Sequence, residues 1–142
     1  MGRGQNTKPE NVNYRGPTRS DLQRQVENRP TLDNLCVAFP EDIYSRPESC
    51  GQIDSAAIQS MRLAQNSPEA LVTIYRAAPT HVDTIKPGDW VTINYRYALM
   101  HKEYVLDKHL AGGGKVIKKE VRACEVVSAS DDLDEWVYNP RA

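Results

Sequence analysis

Leu71-Val72-Thr73-Ile74-Tyr75-Arg76-Ala77-Ala78-Pro79 is the stretch on which the fold class turns. Its first five residues are apolar, β-branched or aromatic, the composition of a strand packed on a pleated surface. Arg76 closes that apolar run. A guanidinium there is costly unless it faces a cleft or an anion. Downstream, the turn signal Lys86-Pro87-Gly88-Asp89 precedes a second strand, Trp90-Val91-Thr92-Ile93. From Tyr95 to about Leu106, the residues Tyr97, Met100, His101 and Tyr104 recur at helical spacing, which predicts a helix with one semi-apolar face. Gly112-Gly113-Gly114 then breaks the chain. Lys115 to Val127 alternates, with Ile117, Val121 and Ala123 on one side and Lys118, Glu120 and Arg122 on the other, as one long half-exposed strand does. After the polar loop from Ser128 to Asp132, Glu135-Trp136-Val137-Tyr138 reads as a last short strand.

Upstream of Leu71 the pattern is helical and irregular. Thr18, Ser20 and Asp21 precede Leu22-Gln23-Arg24-Gln25-Val26-Glu27, a short capped helix stopped by Pro30. Leu35 to Cys50 is punctuated by Pro40 and Pro47 and reads mostly as loop, with apolar anchors such as Phe39, Ile43 and Tyr44. Asp54 or Ser55 caps a second helix, Ala56 to Gln65, with Ile58, Met61 and Leu63 as its apolar residues; Asn66-Ser67-Pro68 stops it. Helices first and strands after favour an α+β fold over a doubly wound sheet. Residues 1–17 are rich in Gly, Pro, Arg and Asn and read as a flexible basic arm, leaving 18–142 as one domain. Over residues 1–30, six basic side chains (Arg3, Lys8, Arg15, Arg19, Arg24, Arg29) face three acidic ones (Glu10, Asp21, Glu27), a net +3.

Composition narrows the function classes. The 142 residues carry 18 Lys+Arg against 19 Asp+Glu, a net charge of -1, so whole-chain charge gives no reason to expect a nucleic-acid binder. The apolar runs are too short for a transmembrane helix. Met1-Gly2-Arg3-Gly4 offers no apolar core for a secretory signal, and a cytoplasmic protein is expected. Three cysteines, Cys36, Cys50 and Cys124, form no C-x-x-C pair, which argues against a zinc site and for free thiols in a reducing compartment. The triple Gly lacks the spacing of a phosphate loop and precedes a strand. His81, His101 and His109 are scattered, with no metal-ligand spacing, so no metal is expected.

What is left is a set spread over three strands: the cation Arg76, the hydroxyl Thr92 and the carboxylate Glu135. The plainer account of them is structural. Arg76 and Glu135 then form an ion pair, Thr92 is an ordinary strand residue, and Trp90, Tyr95 and Tyr97 belong to the core.

From about Phe39 to Pro140 the chain resembles the ADP-ribosyltransferase-like domains of phage polyvalent and head-associated proteins. The matching text is Pro40-Glu41-Asp42-Ile43-Tyr44, then Val72 to Pro79, then Ile85-Lys86-Pro87-Gly88-Asp89-Trp90-Val91-Thr92. Tyr97-Ala98, His101, Gly114-Lys115-Val116-Ile117, Lys119-Glu120-Val121, Asp134-Glu135-Trp136 and Tyr138-Asn139-Pro140 follow in order. The resemblance implies a split, two-sheet β core with N-terminal helices and NAD as substrate. It implies that Arg76 contacts the NAD phosphates or nicotinamide ribose, that Thr92 supports the glutamate and that ribose, and that Glu135 is the key catalytic carboxylate. Asn94 falls where the family carries a second hydroxyl, and Trp90, Tyr97 or Tyr95 could stack on nicotinamide. The implied reaction moves ADP-ribose to a host macromolecule, a protein more than a nucleic acid, in the host cytoplasm.

Three departures favour an alternative on the same fold. Asn94 replaces a serine, Val137 a glycine, and Leu133 stands where transferases that modify Arg or Asn often carry Glu or Gln. In that alternative catalysis is weak or lost, and the domain acts as a binding inhibitor of a bacterial defence complex. A virion-associated structural role is the third reading.

Overall fold

The computed structural model describes residues 28–50 and 53–140. The expected basic arm and the short helix around Leu22 lie outside the described residues. The architecture is α+β, with two small antiparallel sheets and a few helices.

Strand β1, Leu71–Pro79, pairs along its whole length with β3, Gly114–Arg122, from Leu71 opposite Arg122 to Pro79 opposite Gly114. The strand therefore runs through Arg76 rather than ending there. The second sheet has the order β2-β5-β4, built from Trp90–Val91, Trp136–Tyr138 and Val126–Ser128. An isolated bridge joins the two sheets: Tyr75 and Thr92 exchange backbone hydrogen bonds of 2.8 and 2.9 Å.

The stretch expected as one strand from Lys115 to Val127 is two strands in different sheets. A short 3-10 turn, Ala123–Glu125, separates them. The Ala123 N–H donates to the Ala70 carbonyl and the Cys124 N–H to the Pro68 carbonyl, while Glu125 Oε1 accepts from the Arg122 N–H at 2.9 Å. These bonds turn the chain, yet the inward parity survives: Val121 and Ala123 are buried and Ile117 packs on the core.

Helix α1, Ser55–Ala64, is capped by Asp54, whose side chain accepts from the Ala57 N–H at 2.9 Å. Its buried face is Ala57, Met61 and Ala64, not the expected Ile58, Met61 and Leu63. Leu63 lies two residues, over half a turn, from Met61 and is exposed. Helix α2, Tyr95–His101, is capped by Asn94 and continues through a π-helical turn, Lys102–Leu106, to His109. Ala98 and Leu106 are its buried residues, whereas Met100 and Tyr104 of the expected apolar face are exposed.

The region expected as loop contains two 3-10 turns, Leu32–Val37 and Pro47–Cys50. Tyr44 holds the first. Its hydroxyl donates to the Leu32 carbonyl at 2.6 Å and accepts from the Leu35 N–H at 2.9 Å. Leu32, Leu35, Ile43, Met61, Ile74 and Trp136 are all fully buried in one core that both sheets and α1 share. No helix among the described residues is long and apolar enough to cross a membrane.

Candidate functional site

The site is built around the short strand β2. In the β2–β5 register Trp90 faces Val137 and Val91 faces Trp136. Thr92 directly follows β2 and Glu135 directly precedes β5, one step beyond the last paired residues. On its other side Thr92 bridges Tyr75, the neighbour of Arg76. The backbones of all three sequence-selected residues thus lie on, or directly beside, adjoining strands.

Their side chains are engaged separately. Arg76 has the parity of Val72, Ile74 and Ala78, the inward face of β1. It meets an anion there: Nη1 lies 3.5 Å from Asp89 Oδ2, with both side chains about a quarter exposed. The same Oδ2 accepts the Lys86 N–H at 2.8 Å, so the turn before β2 presents the carboxylate to Arg76. Thr92 is completely buried, and its hydroxyl accepts the Asn94 N–H at 3.1 Å. Glu135 is half-buried just before β5; its Oε1 accepts the Ser130 hydroxyl at 2.7 Å. The ion pair expected on the structural account, Arg76 with Glu135, is replaced by these two local partnerships.

Asn94 serves as a structural link. Its Oδ1 accepts the Arg96 N–H at 3.1 Å and caps α2, while its Nδ2 donates to Asp134 Oδ1 at 3.0 Å. Asp134 is buried, and desolvation holds its carboxyl above the usual range despite that hydrogen bond. The start of α2 is therefore tied to the residue preceding Glu135. Trp136 anchors the other side, fully buried with its indole N–H donated to the Leu133 carbonyl.

Aromatic rings flank β2. Trp90 lies 5.8 Å from Tyr97 and 5.7 Å from His101 between ring centroids, and Tyr75 meets Tyr95 edge-on at 5.4 Å. Trp90 shares the parity of Thr92, the residue that follows β2, whereas Arg76, one residue from the Thr92 bridge partner Tyr75, has the opposite parity. Burial pushes the His101 imidazole below its ordinary value. Half-buried rings of this kind can stack on a flat heteroaromatic group.

Sequence reasoning missed Asp89 as the partner of Arg76, Ser130 as the partner of Glu135, and Arg29. Asp89 was visible as a turn residue. Ser130 had no periodic signal. Arg29 reaches from the N-terminal side to the Ser128 hydroxyl at 2.8 Å, the Ser130 carbonyl and the Asp131 carboxylate. Among the described residues, no group of three or more His, Cys, Asp or Glu side chains is gathered to hold a metal ion. Compared with known proteins, the chain matches no family model, no curated protein and no solved structure.

Proposed function

We propose that the protein is an NAD-dependent mono-ADP-ribosyltransferase whose working residues are Arg76, Thr92 and Glu135. The observation that carries this reading is the adjacency of three strands: Tyr75, next to Arg76, bridges Thr92, and β2, which Thr92 follows, pairs with β5, which Glu135 precedes. Separated by up to 59 positions in sequence, a cation, a hydroxyl and a carboxylate come onto neighbouring backbones. The sequence resemblance to phage ADP-ribosyltransferase-like domains supplies the chemistry.

On this reading Arg76 takes the pyrophosphate, for which a permanently charged, planar guanidinium is well suited. To do so it shares or exchanges Asp89. Trp90 and Tyr97 offer a stacking surface for nicotinamide. Glu135 holds the nicotinamide ribose and stabilises the oxocarbenium-like cation as the glycosidic C–N bond breaks. Nicotinamide departs with the bonding electron pair. The acceptor's nucleophile forms the new bond at the ribose carbon and releases its proton to solvent. Thr92 is held in place by the Asn94 N–H that its hydroxyl accepts, which leaves the hydroxyl proton to donate. The acceptor is a host macromolecule, a protein before a nucleic acid, met in the host cytoplasm.

A second reading keeps the fold and drops the turnover: a binding inhibitor of a bacterial defence complex. The Arg76–Asp89 pair favours it, because the cation already carries an internal anion. Purified protein incubated with labelled NAD and host lysate separates the two. Transfer of label to a discrete species supports the transferase. No transfer and no nicotinamide release, with host inhibition retained in Glu135→Ala, supports the binder.

A further inference from the structure

The transferase reading assigns Glu135 the charge-stabilising role, and the structure offers an unexpected source for its orientation. The Thr92 hydroxyl, expected to support the glutamate, is buried and accepts the Asn94 N–H. The group on Glu135 is Ser130, five positions earlier in the chain, whose Oγ donates to Oε1 at 2.7 Å. Resting on that reading, we propose that Ser130 is the positioning residue for Glu135, and that Arg29 braces the loop from behind.

Ser130 is itself fixed on three sides. Its Oγ accepts the Asp132 N–H at 3.0 Å, which leaves the hydroxyl proton aimed at Glu135. Its carbonyl accepts both the Ser128 hydroxyl at 2.7 Å and Arg29 Nη2. The same Nη2 reaches the Ser128 hydroxyl and the Asp131 carboxylate. The guanidinium also lies over the Phe39 ring, 5.8 Å from its centroid. One end of the loop is closed by the Ala129 N–H, which donates to the Glu135 carbonyl at 3.0 Å. A carboxylate on a flexible side chain loses rotamer freedom when one oxygen is held by a fixed donor. Its second oxygen is then directed for work on a substrate, the preorganisation that electrostatic catalysis requires. The contact does not include a substrate atom, so Ser130 acts only through Glu135.

The test compares wild type, Ser130→Ala and Ser130→Thr in the full chain, with NAD as the probe. Three quantities are read: nicotinamide release as separate kcat and KM, the melting temperature, and the carboxyl carbon NMR resonance of Glu135. The expected result is a kcat lowered about tenfold or more in Ser130→Ala with KM nearly unchanged, as for an interaction realised in the transition state. Ser130→Thr keeps the hydroxyl and restores most of kcat. The Glu135 resonance moves in Ser130→Ala and returns in Ser130→Thr. Equal losses in both variants that follow the melting temperature, or an unchanged kcat in Ser130→Ala, overturn the proposal. Wild type that releases no nicotinamide overturns the transferase reading. A Glu135 resonance indifferent to Ser130→Ala overturns the positioning contact whatever the activity, so the two failures are told apart.

Discussion

The Asn94 amide donates to Asp134 Oδ1 at 3.0 Å inside the protein, tying the first turn of α2 to the residue before Glu135. Both side chains are nearly inaccessible. Truncating Asp134 removes a buried acceptor from the Asn94 amide, a loss of about 1–3 kcal/mol. Asp134→Ala is therefore expected to lower stability by about that much in urea unfolding, and Asp134→Asn, which keeps an acceptor oxygen, by less. The pH dependence has a definite sign. Burial raises the folded carboxyl above its unfolded value. Its contribution is fully present below the ordinary carboxylate range and is lost as pH rises through the raised value. Asp134→Asn removes that slope.

Tyr44 gives an alkaline counterpart. Burial pushes its phenol up to about 12, although the Leu35 N–H pulls the other way. The stability it contributes is intact below the ordinary tyrosine value and fades as pH rises through about 12. Tyr44→Phe strands the Leu32 carbonyl and the Leu35 N–H in the core. It is expected to cost about 1–3 kcal/mol at neutral pH in chemical denaturation.

Gly114 and Gly112 are expected to respond differently to alanine. A Cβ at Gly114 would stand 2.6 Å from Leu106 Cβ and 3.2 Å from the Ala78 carbonyl oxygen. Leu106 is buried, so it has little room to yield. Overpacking of this kind costs about 1–3 kcal/mol, read as a lowered melting temperature. At Gly112 the nearest atom is the Thr80 hydroxyl oxygen at 3.3 Å, and alanine there is nearly neutral. Gly114 thus serves close packing at the start of β3.

On the transferase reading, the Arg76–Asp89 pair makes an opposed pair of predictions for NAD binding. Arg76→Ala removes the cation and weakens binding about tenfold or more, the range of a charge-assisted hydrogen bond. Asp89→Asn removes the competing anion 3.5 Å away and strengthens binding. Calorimetric titration at low and at moderate salt checks both, since screening shrinks each effect.

The parts of the fold legible in the sequence are those set by local pattern. The β-branched run from Val72 to Tyr75 made β1 plain, and Asp54 marked the start of α1. The break between β3 and β4 was hidden because the alternation of Val121 and Ala123 runs on through the turn. Two distant carbonyls, Ala70 and Pro68, impose that turn. The 3-10 turn at Leu32 likewise depends on Tyr44, a tertiary contact. The candidate site divides in the same way. Residue type and strand position singled out Arg76, Thr92 and Glu135. Their partners Asp89 and Ser130 follow from how the turn and the loop fold back, which no spacing encodes.

The most direct measurement is nicotinamide release from NAD by wild type and by Glu135→Gln, a variant that keeps the side chain's size and removes its charge. The account predicts turnover by wild type, lowered in the variant by about a hundredfold or more, as loss of a charge-stabilising group does elsewhere. It also predicts that NAD affinity stays within about threefold, because the carboxylate acts mainly as positive charge develops. Equal release by the two proteins, or none by either with NAD left unbound, contradicts it.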